Sequence, residues 1–242
     1  MDEAMEALKV VMLTLLAGLM IPLGGVIAQF ENVRPHWLEQ EFRHFVIAFG
    51  GGALLAAVAL VLVPQGSKEL SIPATVAWFS LGSVALMALD IVLTRNGSPA
   101  SQLAATLSDY LPEALALGAV MASGASGSNG ALLLALLIAL QNLPEGFNSF
   151  REINDTGMST GKLLTAFFFL PLLGPVAGLL GYFVFADYPS VTAAVMLFAA
   201  GGILYLVFQD IAPQAKLERH WSPPLGAVAG FLLGLVGHLL LH

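Results

Sequence analysis

Long apolar runs set the strongest limit on what this chain can fold into. Of its 242 residues, 57% are hydrophobic and only 10% are charged. A run of about 20 apolar residues is long enough for one helix to cross a bilayer. Eight such runs are present, at residues 5–30, 44–63, 72–93, 102–123, 131–150, 163–186, 191–212 and 224–241. The sequence therefore predicts an all-α polytopic membrane protein with eight transmembrane helices.

The remaining composition narrows the class of protein further. The connections between the runs are short, so we expect one transmembrane domain covering residues 1–242. The acidic start, MDEAMEALKV, has no small-residue cleavage site after it, which favours a retained first helix over a removed signal peptide. The net charge of -7 offers no basic stripe for nucleic acid, and the absence of cysteine excludes thiolate metal sites.

Basic residues predict the orientation of the chain. Two of them, Lys9 and Lys68, fall on one side of the predicted membrane, and the other seven fall in the first, third, fifth and seventh connections. Because Lys and Arg are enriched in cytoplasmic loops, these odd-numbered connections are predicted to be cytoplasmic, with both termini outside. The seven residues are Arg34, Arg43, Arg95, Arg151, Lys162, Lys216 and Arg219.

The fourth and fifth runs are each interrupted near the middle by polar residues. The fourth contains DYLPEA from Asp109, and the fifth contains QNLPEG from Gln141. Asp109 and Glu113 are four residues apart and share a helix face, as do Gln141 and Glu145. A carboxylate near the bilayer centre costs several kcal/mol unless it is paired, protonated or bound to a cation. If the two helices pack together, the four side chains converge, and we predict a cation site. The alternative is protonated acids that hydrogen-bond neighbouring helices.

Three further polar residues are candidates for the same path. Asn142 offers a carbonyl oxygen to a cation or bridges two helices, and the residues alone favour neither. Asp210, beside Gln209 near the end of the seventh run, is either interfacial or a relay on the exit path of an ion. No HExxH, GxGD or Walker motif is present. We therefore predict that the chain is not an enzyme and has no cofactor.

A second pair of segments repeats at a distance. The second run reads FGGGALLAAVALVLVPQG from Phe49, and the seventh reads FAAGGILYLVFQDIAPQA from Phe198. In both, Pro-Gln follows fifteen residues after the phenylalanine, at Pro64 and Pro213. Since these runs cross the membrane in opposite directions, we predict a 3+2+3 inverted repeat with the motif-bearing pair at its pseudo-two-fold axis.

These motifs resemble the ZIP (Zrt/Irt-like) family of divalent-metal transporters over nearly the whole chain. QNLPEG is a close match to the family motif, whereas DYLPEA has Asp109 where histidine is usual and Tyr110 where asparagine is usual. LLGPVAGLLG resembles the stretch in which many members carry a metal-binding glutamate, and Gly174 stands at that position. FQDIAPQ resembles the exit motif, with Gln209 and Asp210 at its His-Glu positions.

The resemblance implies uptake of a divalent metal towards the cytoplasm by alternating access, with the metal as transported substrate. The implied ligands are Asp109, Glu113, Gln141, Asn142 and Glu145. Because Tyr110 and Gly174 replace ligands, a single-ion site is expected instead of a binuclear centre. An all-oxygen ligand set suits Mn2+ or Fe2+, while the resemblance keeps Zn2+ a leading candidate. It also implies a homodimer and a bacterial inner (plasma) membrane.

Two other functions remain open from the sequence. One is a degenerate relative that no longer transports and acts as a membrane metal sensor or scaffold. The other is a proton-linked carrier of another solute that uses Glu113 and Glu145 as proton sites.

Overall fold

The structure, a computed structural model, describes residues 2–30, 36–96, 99–123, 127–185, 188–216 and 221–241. These residues are almost entirely helical and contain no strand, which confirms the predicted all-α class. The helices are α1 (Asp2–Gly18), α2 (Met20–Phe30), α3 (His36–Ala56), α4 (Val63–Gly66), α5 (Ile72–Asn96), α6 (Pro99–Ser123), α7 (Gly127–Asp155), α8 (Thr160–Phe169), α9 (Leu173–Phe185), α10 (Pro189–Leu206), α11 (Ala212–Ala215) and α12 (Ser222–Leu241).

Seven helical stretches of the described chain are long and apolar enough to cross a membrane. They are Glu3–Phe30, Glu41–Gly66, Ile72–Leu93, Asn129–Asn154, Thr160–Val184, Pro189–Ala215 and Ser222–Leu240. The predicted span that is absent from these seven is the fourth, at residues 102–123, which lies in α6. This helix has 25 residues, as α5 does, but Asp109, Tyr110, Pro112 and Glu113 make its middle more polar. The chain therefore has the spans of an integral membrane protein, and the eighth span stays a prediction.

The helices form two groups that pack side by side. The first, here called the α6–α7 group, contains α1, α2 and α6–α9; the second, the α3–α10 group, contains α3–α5 and α10–α12. The groups meet where α7 packs on α3 and where α6 packs on α10. Of the basic residues used to predict orientation, Arg34 and Arg219 lie outside the described residues.

The two segments that echo each other in sequence share an unusual local structure. A π segment, Ala57–Leu62, joins α3 to α4, and another, Val207–Ile211, joins α10 to α11. In each, the backbone N–H that follows bonds the carbonyl five residues earlier, Val63 to Val58 and Ala212 to Val207. π-helices are rare, occur mostly as single turns within α-helices and are frequent at functional sites. Each copy precedes its Pro-Gln pair, so the sequence echo extends to backbone geometry.

Glycine allows α2 and α7 to approach each other closely. A Cβ atom at Gly146, the last residue of QNLPEG, would lie 2.7 Å from Cα of Ile21. A glycine of the first echo segment packs in the same way, since a Cβ at Gly52 would lie 2.8 Å from the carbonyl carbon of Ala227. Small residues that let backbones approach are the usual basis of helix packing in membranes. Gly52 is therefore occupied by contacts within the chain.

We predict that Gly146→Ala destabilises the protein, because its methyl group would collide with the α2 backbone, which cannot rotate away. Overpacking of this kind costs about 1–3 kcal/mol. Thermal unfolding of the purified protein in detergent measures the effect. Gly161→Ala is the matched control, since nothing lies within 4 Å of a Cβ at Gly161. Equal stability of the two variants would contradict the close packing of α2 on α7.

Candidate functional site

A cavity of 280 Å³ lies between the two helix groups. Its walls come from α3, α5, α6 and α7 and from the π segment Val207–Ile211. It reaches from buried residues such as Gln141 to exposed ones such as Glu152, close to the C-terminal end of α7. The cavity therefore connects the middle of the bundle with one end of it.

Apolar side chains fill the other half of the bundle. Leu117 and Val120 of α6, Leu134 and Ile138 of α7 and Met196 of α10 are all at most 1% exposed and belong to one cluster. Interiors packed in this way leave few voids as large as a water molecule. The cavity is therefore open at one end of the bundle and closed by apolar packing towards the other.

The charges on the cavity wall are all of one sign. Five acids line it, and the described wall contains no Lys, Arg or His. The acids are Asp90, Asp109, Glu145, Glu152 and Asp210. A cleft lined by one sign of charge with low-dielectric walls concentrates counter-ions. This cavity therefore favours cations or protons and disfavours anions.

The predicted ligands from α6 and α7 divide into two sets. Asp109, Gln141 and Glu145 line the cavity. Glu113 is 2% exposed and does not line it. Its carboxylate oxygens accept hydrogen bonds from Nε2 of Gln141 over 3.1 and 3.3 Å. The predicted convergence of the two motifs is thus present, with Gln141 between Glu113 and the cavity.

Asn142 faces away from the cavity. Its Nδ2 donates to the carbonyl oxygen of Ala17 over 3.0 Å, and its Oδ1 accepts a hydrogen bond from Gln141. Of the two roles that the sequence left open, the structure displays the helix bridge, from α7 to α1. A role as ligand stays a prediction, and it would require Asn142 to exchange these partners.

Glu145 has an oxygen atom without a hydrogen-bond donor. Its Oε1 is buried and accepts no hydrogen bond from the described residues. The carboxyls of Asp109, Glu113 and Asp210 are close enough to interact with it electrostatically. A buried carboxylate oxygen is normally hydrogen-bonded or bound to a cation. Glu145 is therefore the cavity residue with the clearest capacity for a cation.

The acids do not form an assembled metal centre. Within the described part of the chain, no group of three or more His, Cys, Asp or Glu side chains is close enough to hold one ion. The amide of Gln141 is a further oxygen donor at the site, in addition to these four residue types. A cation bound here would have to draw the carboxylates of α6 and α7 closer together.

The predicted exit residues Gln209 and Asp210 lie on the opposite wall of the same cavity. Both are exposed, and Nε2 of Gln214 donates to Oδ1 of Asp210 over 2.7 Å. The π segment that holds them belongs to the α3–α10 group. The cavity therefore has acidic residues on both helix groups.

Two cavity residues lie outside the predicted set of site residues. Asp90 lines the cavity and accepts a hydrogen bond from the Tyr205 hydroxyl over 3.0 Å. Asn148 also lines it, and its Oδ1 accepts from Nε of Arg43 over 2.9 Å, which connects α7 to α3. The spacing of Leu86, Asp90 and Leu93 on one face of α5 was the available signal.

Tyr110 fills the space beside Gly174. Its side chain is fully buried, and its hydroxyl donates to the carbonyl oxygen of Thr14 over 2.5 Å. A Cβ atom at Gly174 would overlap this hydroxyl and lie 2.8 Å from Cε1 of the ring. The tyrosine therefore occupies the volume that the glycine leaves, and no ligand at position 174 fits beside it.

No protein-family model matches this chain, and a search of curated proteins finds no match.

We predict that Gly174→Ala destabilises the protein by about 1–3 kcal/mol, because the added methyl group collides with the Tyr110 side chain. In a Tyr110→Leu background the same change should cost less, since residues in direct contact show coupling of about 0.5–3 kcal/mol. Thermal unfolding of the two single variants and the double variant measures this coupling. Strictly additive effects would show that the two positions are not matched.

Proposed function

We propose that the protein transports a divalent transition-metal cation, of the Zn2+, Fe2+ or Mn2+ class, across the membrane towards the cytoplasm. The observation that carries the proposal is the cavity between the helix groups, which is acidic, lacks basic residues on its described wall and is open at one end. Ionisable residues within membrane-spanning segments usually belong to ion or proton pathways. Alternating access would close this end and open the apolar half.

The ligands in this proposal are oxygen donors from α6 and α7. Asp109, Gln141 and Glu145 would approach the cation from the cavity wall, while Glu113 would exchange its hydrogen bonds from Gln141 for the metal. Carboxylate and amide oxygens suit Mn2+ and Fe2+ more than a histidine site does. Asn142 would join them if its bond to Ala17 broke. The packing of Tyr110 against Gly174 supports a site for a single ion, because Tyr110 fills the volume that a ligand at position 174 would need.

The architecture in this proposal has eight spans, with α6 as the additional one. The π segments of the two echo copies support the 3+2+3 inverted repeat, in which substrate sites lie near the midplane at the repeat interface. The resemblance to ZIP transporters leads to the same arrangement. A homodimer stays a prediction, and it would have to use surfaces other than Gly52, which packs within the chain.

The charge bias of the connections supports a cytoplasmic position for the open end of the cavity. The structure would then represent an inward-open conformation. Both termini would face outward from a bacterial inner (plasma) membrane. Cations leaving the α6–α7 wall would pass Gln209 and Asp210 on the opposite wall.

A proton-linked carrier of another solute is the second candidate. The observation in its favour is that no three acids of the described chain are assembled around one point. Acids spread along a cavity suit proton transfer as well as they suit a cation path. A metal sensor or scaffold that does not transport is the third.

Metal uptake into proteoliposomes tests the first candidate. We expect saturable uptake of at least one of Zn2+, Mn2+ and Fe2+, and its loss in Glu113→Gln/Glu145→Gln, because neutral amides no longer offset the charge of the ion. Glu69→Gln, at an exposed position in the connection before α5, is the matched control and should keep full uptake.

Absence of uptake for every metal would rule out transport as proposed. Thermal stabilisation by metal would then separate the remaining candidates. A protein that binds metal without transporting it is stabilised by metal in the wild type and not in the double variant, whereas a carrier of another solute is stabilised in neither.

The absence of cysteine permits a direct test of which end of the cavity is open. A membrane-impermeant maleimide should label Ser149→Cys, on the cavity wall, only from the cytoplasmic side. Ser190→Cys, exposed at the start of α10, should be labelled only from outside, and Ala200→Cys, fully buried, from neither side before denaturation. Labelling of Ser149→Cys from outside would show that the orientation of the chain, or the end at which the cavity opens, is the opposite of the one proposed.

A further inference from the structure

An apolar groove, separate from the acidic cavity, runs between α9 and α10 on the outside of the bundle. It consists of two adjoining hollows of 350 and 400 Å³, which share Leu115, Val195 and Phe198. Ser190 lies at one end of this α9–α10 groove and Pro112 at the other. The groove exists because α9 and α10 make few contacts with each other, although both pack on α6.

The groove opens towards the bilayer. On one rim, Val176 and Leu180 of α9 are 57% and 51% exposed, and on the other rim Trp78 of α5 is 40% exposed. The floor is closed, since Ala194 and Ala199 of α10 are 5% and 1% exposed. Because these helices are apolar enough to cross a membrane, the rim residues face hydrocarbon. The groove is thus a furrow in the lipid-facing surface and not a path through the protein.

The chemistry of the lining restricts what can occupy the groove. Apart from Ser190 at its end, every lining side chain is apolar. A buried water needs two to four polar partners, which this lining does not offer. An unfilled groove would leave the lining atoms without dispersion contacts on one side. In the hydrocarbon of a bilayer, the apolar material available to fill it is an acyl chain.

The end marked by Ser190 indicates which molecule carries that chain. Leu70, two residues before the start of α5, also lines this end, so the groove begins close to where α5 and α10 begin. Exposed Lys68 is two residues earlier in the chain. A lysine near the membrane surface attracts the phosphate of a lipid headgroup. The groove therefore suits a chain that enters from a headgroup at this surface.

We propose that the α9–α10 groove binds one acyl chain of a phospholipid. The headgroup lies near Ser190, and the chain extends along Leu115, Val195 and Phe198 to Pro112. Its walls belong to different helix groups, with α6 and α9 on one side and α5 and α10 on the other. A bound chain therefore contacts both groups, and its far end touches α6 beside Glu113.

The experiment uses a phospholipid with a diazirine in the middle of one acyl chain, added at a low ratio to the full-length protein in detergent. After irradiation, mass spectrometry of the digested protein locates the attached lipid. We expect label in residues 111–115 and 195–199. Excess unlabelled phospholipid should remove this label before it removes label from the exposed faces of other helices. The reason is that a groove with higher affinity for lipid is saturated by the unlabelled competitor at a lower concentration.

Two variants fill the groove from opposite walls. Val195→Phe and Ala177→Phe should each lose the label at residues 111–115, since the added ring occupies the volume of the chain. Ala88→Phe adds a comparable ring to an exposed face of α5 and should keep the label. Competition in the wild-type protein needs no substitution, so a variant that fails to fold does not prevent the test.

Three results would overturn the proposal. Label spread over all helices in proportion to their exposure, and unchanged by Val195→Phe, would show ordinary contact with solvating lipid. Label from a diazirine fatty acid but not from the phospholipid would show a different source of the chain. Protein–protein conjugates through residues 195–199 would show that a second copy of the chain covers the groove.

Discussion

Carboxylates inside a membrane-spanning helix need water, a proton, a cation or hydrogen-bond donors around them, and the arrangement of α6 and α7 depends on that requirement. Gln141 meets part of it by donating to Glu113 and to Asn142. Asn142 then donates to the carbonyl of Ala17, so a continuous hydrogen-bonded line joins α6, α7 and α1. This line holds three helices in register and keeps Glu113 out of the cavity.

Close packing around the line explains why small residues recur beside the polar ones. Gly146 allows α2 to approach α7, and Gly174 leaves the volume that Tyr110 fills. The α6–α7 group is therefore dense on the side away from the cavity, and Asp109 and Glu145 line the cavity on the side that faces the α3–α10 group. In the transport that we propose, these two groups would move relative to each other.

The two π segments show how similar backbones can serve different halves of one protein. Ala57–Leu62 is apolar and contributes buried residues to the closed half. Val207–Ile211 carries Gln209 and Asp210 and forms part of the cavity wall. In the arrangement described, the polar copy borders the open end and the apolar copy borders the closed end. The two segments thus share a π-helical backbone and differ in the polarity of their side chains.

The sequence by itself determined the all-α class, the positions of the apolar helices and the helix face that the polar pair of each Pro-Glu motif shares, because hydrophobic length and four-residue spacing are local properties. Asp109, Gln141, Glu145 and Asp210 were all expected near one path, and they line one cavity. Only the tertiary structure decided which neighbour each helix face meets. It turned Glu113 towards Gln141 and away from the cavity, since periodicity defines a face of a helix but not the helix packed against it.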